Sequence, residues 1–152
     1  MKGSRVTGHA AGPVWPSASP PPANALLSWE LHDVVELPRV RAELRRHPAT
    51  TAPVDDPRLT DVHDQLVLAL DEMASNALRH GGGRVRAAVG QTENAFLVEV
   101  TDQAVASPPA PAVGRDPSEG GLGLYLIAEM AIRHGWYVHD GAKHVWALLP
   151  RT

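Results

Sequence analysis

The sequence contains no cysteine in its 152 residues, which excludes disulfides and thiolate metal sites. It also lacks any apolar run of about 20 residues, the length a helix needs to span a bilayer. Lys2 and Arg5 lie near the start, but no continuous apolar stretch precedes the prolines. A secretory leader is therefore not read there, despite the Ala23-Asn24-Ala25 triplet, and a cytoplasmic protein without membrane attachment is expected. The formal net charge is -3 with the signs scattered, so there is no basic stripe of the kind that captures nucleic acid. His9, His32, His47, His63, His134, His139 and His144 show no spacing that would gather a zinc site.

What is present divides into two parts. Residues 1–25 are rich in Gly, Ala, Ser and Pro (Pro13, Pro16, Pro20, Pro21, Pro22), a composition that cannot offset ordering entropy by burial. They are expected to form a disordered tail in which Trp15 is incidental. Residues 26–152 have the length and apolar content of one domain with a single core. Alternation predicts a strand over 27–35, and Pro38 opens a short helix ended by His47-Pro48. A long helix is predicted over 59–79, stopped by Gly81-Gly82-Gly83. Strands follow over 84–89 and 95–101 as a hairpin. Residues 103–119 hold four prolines and little periodicity, which suggests a functional lid. A helix over 121–134 and a hairpin over 136–149, turning at Asp140-Gly141, complete the chain. This order predicts an α/β (α+β) two-layer sandwich, mostly antiparallel sheet with helices on one face. Trp29, Trp136 and Trp146 fall in strands and are expected to pack on the sheet. Glu43-Leu44-Arg45-Arg46 reads as a solvated helix face.

Three segments carry chemistry. On the long helix, Glu72, Asn76 and His80 are spaced four apart and share a polar face opposite Leu66, Leu70, Met73 and Ala77. Magnesium usually takes one or two protein oxygens plus nucleotide phosphates, and the Asn76 amide oxygen can serve without adding charge. Glu72 can act as a base near the terminal phosphate. Alone, the row reads equally well as a solvated helix face. Glu119-Gly120-Gly121-Leu122-Gly123-Leu124 opens the next helix, where free N–H groups and the macrodipole favour phosphate. By itself it is also an ordinary glycine-rich helix start. Asp102, at the end of its strand, can accept a hydrogen bond from an adenine amino group, or can be a simple turn residue.

Together, in this order, the three segments resemble the N box, first glycine box and second glycine box of the histidine-kinase-like (GHKL) ATPase superfamily. Within it, Glu72-x-x-x-Asn76-Ala77-x-Arg79-His80 and Glu119-Gly120-Gly121-Leu122-Gly123-Leu124-Tyr125-Leu126-Ile127 are most similar to the bacterial anti-sigma-factor serine/threonine kinases. The resemblance covers residues 35–149 and implies the Bergerat ATP-binding fold with ATP and Mg2+ as cofactors. It implies Glu72 as the base, Asn76 as the magnesium ligand and Asp102 as the adenine contact. Gly120, Gly121, Leu122, Gly123 and Leu124 would form the phosphate loop, with Arg79, His80 and the lid residue Arg115 as further nucleotide contacts. A glutamate at position 72 favours a hydroxyl acceptor, since sensor kinases, which phosphorylate an imidazole, typically carry Asn there. The short Pro-rich start is expected to leave no room for a two-helix phosphoacceptor hairpin. The implied partners are a sigma factor, an anti-sigma antagonist (STAS) protein as substrate, and a second copy in a homodimer. Here Asp102 is followed by Gln103-Ala104-Val105-Ala106, where the family places glycines. That departure keeps open a nucleotide-responsive binding module of the same fold without productive kinase activity.

Overall fold

The computed structural model describes residues 15–50, 56–109 and 122–151. Its elements are β1 (Asn24–Leu31), α1 (Leu37–Arg46), α2 (Pro57–His80), β2 (Val85–Gln91), β3 (Ala95–Asp102), α3 (Leu122–Met130), β4 (Arg133–His139) and β5 (Ala142–Pro150). The five strands form one antiparallel sheet in the order β1-β2-β3-β5-β4. Strand alternation explains the layers. Phe96, Val98 and Val100 of β3 and Val145, Ala147 and Leu149 of β5 point to the inner face. There they pack with Leu66, Leu70 and Met73 of α2 and with Leu124 and Ile127 of α3. The predicted sandwich, with helices on one face of the sheet, is the architecture observed.

Local chemistry sets the boundaries, and several differ from the sequence reading. The first strand ends at Leu31, not at residue 35, because Asp33 caps a single 3-10 turn over Val34–Glu36. The Asp33 carboxylate accepts from Val35 N (2.9 Å), and Glu36 reaches back to accept from Asp33 N (2.9 Å), a reciprocal capping box. Helix α2 starts at Pro57, two residues earlier than expected, with Asp56 as N-cap accepting from Arg58 N (3.1 Å). Helix α3 stops at Met130, short of 134. Ile132 N donates to Leu148 O (2.8 Å), and Arg133 is already paired with Leu148 across the sheet. The turn between β4 and β5 has Asp140 at φ 51° and Gly141 at φ 74°, the paired left-handed conformations of a two-residue hairpin. Glu43 is not a solvated bystander. It accepts from Trp29 Nε1 (2.9 Å) and Arg39 (2.9 Å), and these hydrogen bonds, Trp29 first, hold its carboxyl below the usual carboxylate range. Leu44 beside it is fully buried.

The largest correction concerns the start of the chain. Residues 1–14 lie outside the described residues, but residues 15–25 are not a tail. Trp15 is 4% exposed, belongs to the main core and meets the His134 ring edge-on at 4.8 Å. Trp136 N donates to Pro16 O (3.0 Å), and Ala18 N donates to Trp136 O (2.9 Å), so this segment pairs with the edge of β4. Trp146 Nε1 then donates to Ala18 O (2.7 Å) on the outer face, where Ala95, Leu97 and Leu148 make a smaller apolar cluster. Gly135 permits the approach, since a Cβ there would lie 2.9 Å from Pro16 O. The folded part therefore reaches back at least to Trp15, and β1 begins at Asn24. Replacing Trp15 by alanine should lower the unfolding free energy by about 3 kcal/mol, near the low end for buried aromatics because its indole N–H has no partner among the described residues. Urea denaturation of the full chain measures this.

The outer face also carries a polar cluster. Tyr137 OH donates to Glu99 Oε2 (2.9 Å), and His144 Nδ1 lies 2.8 Å from the same oxygen while its ring stacks on Tyr137 at 4.5 Å. Burial, and then the Glu99 carboxylate, push the Tyr137 phenol up to about 12. A raised folded-state value means that Tyr137 contributes stability fully below the ordinary phenol value, and this contribution is lost as pH rises through 12. In a Tyr125→Phe background, leaving one tyrosine, phenolate absorbance at high pH should report that midpoint. Adding Glu99→Gln should bring it down. A cavity of about 220 Å³ opens beside this cluster, lined by Arg86, Glu99, Thr101 and His144 among others. It lies on the sheet face opposite the helices, away from the residues considered next.

Candidate functional site

Helix α2 supplies one wall of the site. Met73, Ala74 and Ala77 are buried against the sheet, which turns the Glu72, Asn76, Arg79 and His80 row away from it. Glu72 and Asn76 are half-buried, whereas Arg79 and His80 at the C-terminal end are exposed. Among the described residues, neither the Glu72 carboxylate nor the Asn76 amide has a hydrogen-bond or ion-pair partner.

The opening of α3 meets this row at Glu72. A Cβ built on Gly123 would lie 2.8 Å from both Glu72 Cβ and Cδ, so only glycine lets the carboxylate rest against the first turn of α3. The first N–H groups of that turn have no intrahelical acceptors. Leu124 is 2% exposed and packs in the core. Only its backbone, and not its side chain, is left to face a phosphate. Leu122 opens α3. Glu119, Gly120, Gly121 and Arg115, with positions 110–119 of the expected lid, lie outside the described residues.

Asp102 sits at the other end of the wall. It continues the inward row of β3 and packs on the C-terminus of α2. A Cβ on Gly81 would come within 2.5 Å of its carboxyl carbon. Gly81 thus does more than end the helix, since it makes room for this carboxylate. From Glu72 to Gly81 the helix rises about 14 Å. The predicted base and metal ligand therefore lie along α2 with the glycine turn beside Glu72, and the strand-end carboxylate lies at the helix C-terminus beside Gly81, where Arg79 and His80 are exposed.

The sequence reading missed Lys143. It is the direct cross-strand partner of Asp102 and faces inward, like Val145, Ala147 and Leu149 after it on β5. Its ammonium lies 3.5 Å from Asp102 Oδ2 and donates to Ser107 O (2.8 Å). Asp102 Oδ1 accepts from Ala104 N (2.8 Å). Both side chains of the pair are nearly inaccessible, at 4% and 7%. The strand's period could have flagged it, because a charged residue in the inward set requires a buried partner.

With this geometry in place, the comparison with protein families is decisive for class. The histidine kinase-like ATPase domain family matches residues 32–147, and the chain belongs to that family. No curated protein matches the chain. Family membership implies an ATP-binding domain. The described residues fit such a ligand at its phosphate end, where Glu72, without a partner among them, lies against the Gly123 turn and one helical turn before the half-buried Asn76. At the base end the carboxylate already has two partners. No helix among the described residues is long and apolar enough to cross a membrane.

Proposed function

We propose that this protein is an ATP- and Mg2+-dependent serine/threonine protein kinase of the anti-sigma-factor type, which binds a sigma factor and phosphorylates a STAS-type antagonist. The observation that carries the reading is Glu72 lying against Gly123 with no partner among the described residues, one helical turn before a half-buried Asn76. A base, a neutral metal ligand and a helix N-terminus then converge on one place.

Asn76 would hold the magnesium ion by its amide oxygen, and the free N–H groups of α3 would hold phosphate oxygens. Among the described residues no group of three or more His, Asp or Glu gathers. A single protein oxygen plus phosphates suits magnesium better than any other common ion. Bound nucleotide supplies the transferable phosphoryl group. Glu72 takes the proton from the incoming hydroxyl, and positioning with electrostatic stabilisation does the remainder. Asp102 would orient the base from the far end of α2. Partner choice resides on surfaces outside this cleft, and pairing of two copies, as in similar kinases, fits the reading.

A second reading has its own observation. The buried Asp102–Lys143 ion pair, with no glycines after Asp102, suits a nucleotide-responsive module that controls a partner without transferring phosphate. Incubation with labelled ATP, magnesium and a candidate STAS protein separates the two. Label on a serine or threonine of the acceptor is expected. Nucleotide binding without transfer to any tested acceptor would favour the module.

A further inference from the structure

We infer that the outer face of the sheet carries a binding site for a free amino acid with a short apolar side chain, at the cavity of about 220 Å³ beside Glu99. The inference is independent of the nucleotide reading, whose residues lie on the other face. Arg86 and Glu99 are diagonal neighbours on β2 and β3, since Arg86 is opposite Thr101 and Ala88 is opposite Glu99. Opposite charges so placed are within reach of each other. Among the described residues they nevertheless form no ion pair, because they turn apart. Arg86 donates to Ser28 Oγ (3.4 Å) on the β1 side, while Glu99 Oε2 accepts from Tyr137 OH (2.9 Å) and lies 2.8 Å from His144 Nδ1. Glu99 Oε1 and the remaining Arg86 N–H groups are uncommitted among the described residues. Glu30, the cross-strand partner of Arg86, does not line the cavity.

Small residues floor the space between the two charges, and the backbone is adjusted to keep it open. Ala88 and Gly90 line it from β2, with Leu97 beside them. On β1, Ser28 is opposite Ala88, so unbroken pairing would put Leu26 opposite Gly90. A register shift between Ala25 and Leu27 puts Ala25 there instead, and Leu26 packs against the main core. The bulge, a device that re-aims side chains, thus keeps a leucine out of the cavity. What remains is an apolar hollow with a guanidinium on one side and a carboxylate on the other. A guanidinium holds a carboxylate bidentately, and Glu99 Oε1 can accept from an ammonium. The diagonal spacing of about 7 Å matches a zwitterion whose two charged groups share one carbon, with a hydrogen bond at each end. Its side chain would lie on Ala25, Ala88 and Leu97. Since a cavity of about 150 Å³ takes benzene, this one has room for an aliphatic amino acid of leucine's size.

The test is NMR titration of the full chain with L-leucine and three analogues: 4-methylpentanoate, which lacks the ammonium, 3-methylbutylamine, which lacks the carboxylate, and glycine, which lacks the side chain. The wild type is expected to bind leucine about tenfold or more tighter than either one-charge analogue, as the loss of a hydrogen bond between charged groups implies. Glycine should be weaker than leucine by about tenfold to 10², the effect of one buried leucine side chain. Arg86→Gln should weaken leucine and 4-methylpentanoate by about tenfold and leave the amine as it was. Glu99→Gln should weaken leucine and the amine and spare the acid. Each variant is read against the analogue it should not affect, so a reduced folded fraction does not imitate the pattern. Ala88→Leu fills the hollow without touching either charge and should abolish leucine binding. A wild type that does not bind leucine, or binds it no tighter than the acid or the amine, overturns the inference. So does an equal effect of Arg86→Gln on every ligand, or a leucine affinity that Ala88→Leu leaves unchanged. None of these results bears on the nucleotide reading.

Discussion

Glu72→Gln is expected to lower phosphoryl transfer by about 10² to 10⁴ while ATP affinity stays close to that of the wild type, the range general-base catalysis supplies. The substitution is nearly isosteric, so it preserves the packing of this side chain against Gly123. It removes only the capacity to take a proton. Since Glu72 has no partner among the described residues, its loss strands no buried charge and should leave stability nearly unchanged. Rate and affinity, measured on the same preparation, therefore separate. Transfer undiminished in the variant would place the base elsewhere, and equal losses in affinity and rate would mean that Glu72 binds more than it catalyses.

The second large effect is on stability. Lys143→Met should cost about 3–5 kcal/mol, because it leaves the Asp102 carboxylate buried at the end of β3 without its cation. The same reasoning makes Lys143→Met/Asp102→Asn recover most of that loss, since the double variant buries no unpaired charge. Chemical denaturation of both single variants and the double variant provides the cycle. Strict additivity would mean that the two groups do not sense each other, contrary to their separation of 3.5 Å. Because the pair also holds Ser107, the single variant should loosen residues 103–107 as well.

Much of this architecture was legible in the residues. Asp56-Pro57 and Gly82-Gly83 bracket α2 by capping and positive-φ chemistry that depends on nearest neighbours alone. Asp140-Gly141 specifies its own hairpin turn for the same reason. The row Glu72, Asn76 and His80 follows from helical period, and its meeting with Gly123 follows from the family resemblance. What escaped was tertiary. Residues 15–23 have no periodicity and only four residue types, yet Trp15 is held because Gly135 leaves Pro16 O room beside β4. No local pattern encodes a contact more than 100 residues away. Lys143 was hidden differently, since its inward position follows from alternation but the identity of its partner follows from strand order. Trp29 likewise draws Glu43 out of solvent through a side-chain hydrogen bond that helix period cannot reveal.

Above all else, α2 and the first turn of α3 are expected to hold a magnesium-bound triphosphate between them. Titration of ATP into the full chain, with and without magnesium, for the wild type and Asn76→Ala tests it most directly. Magnesium is expected to tighten wild-type binding, and Asn76→Ala should abolish that gain while leaving the metal-free affinity in place. A wild type indifferent to ATP, or an Asn76→Ala protein whose magnesium-dependent affinity equals the wild type's, would contradict it.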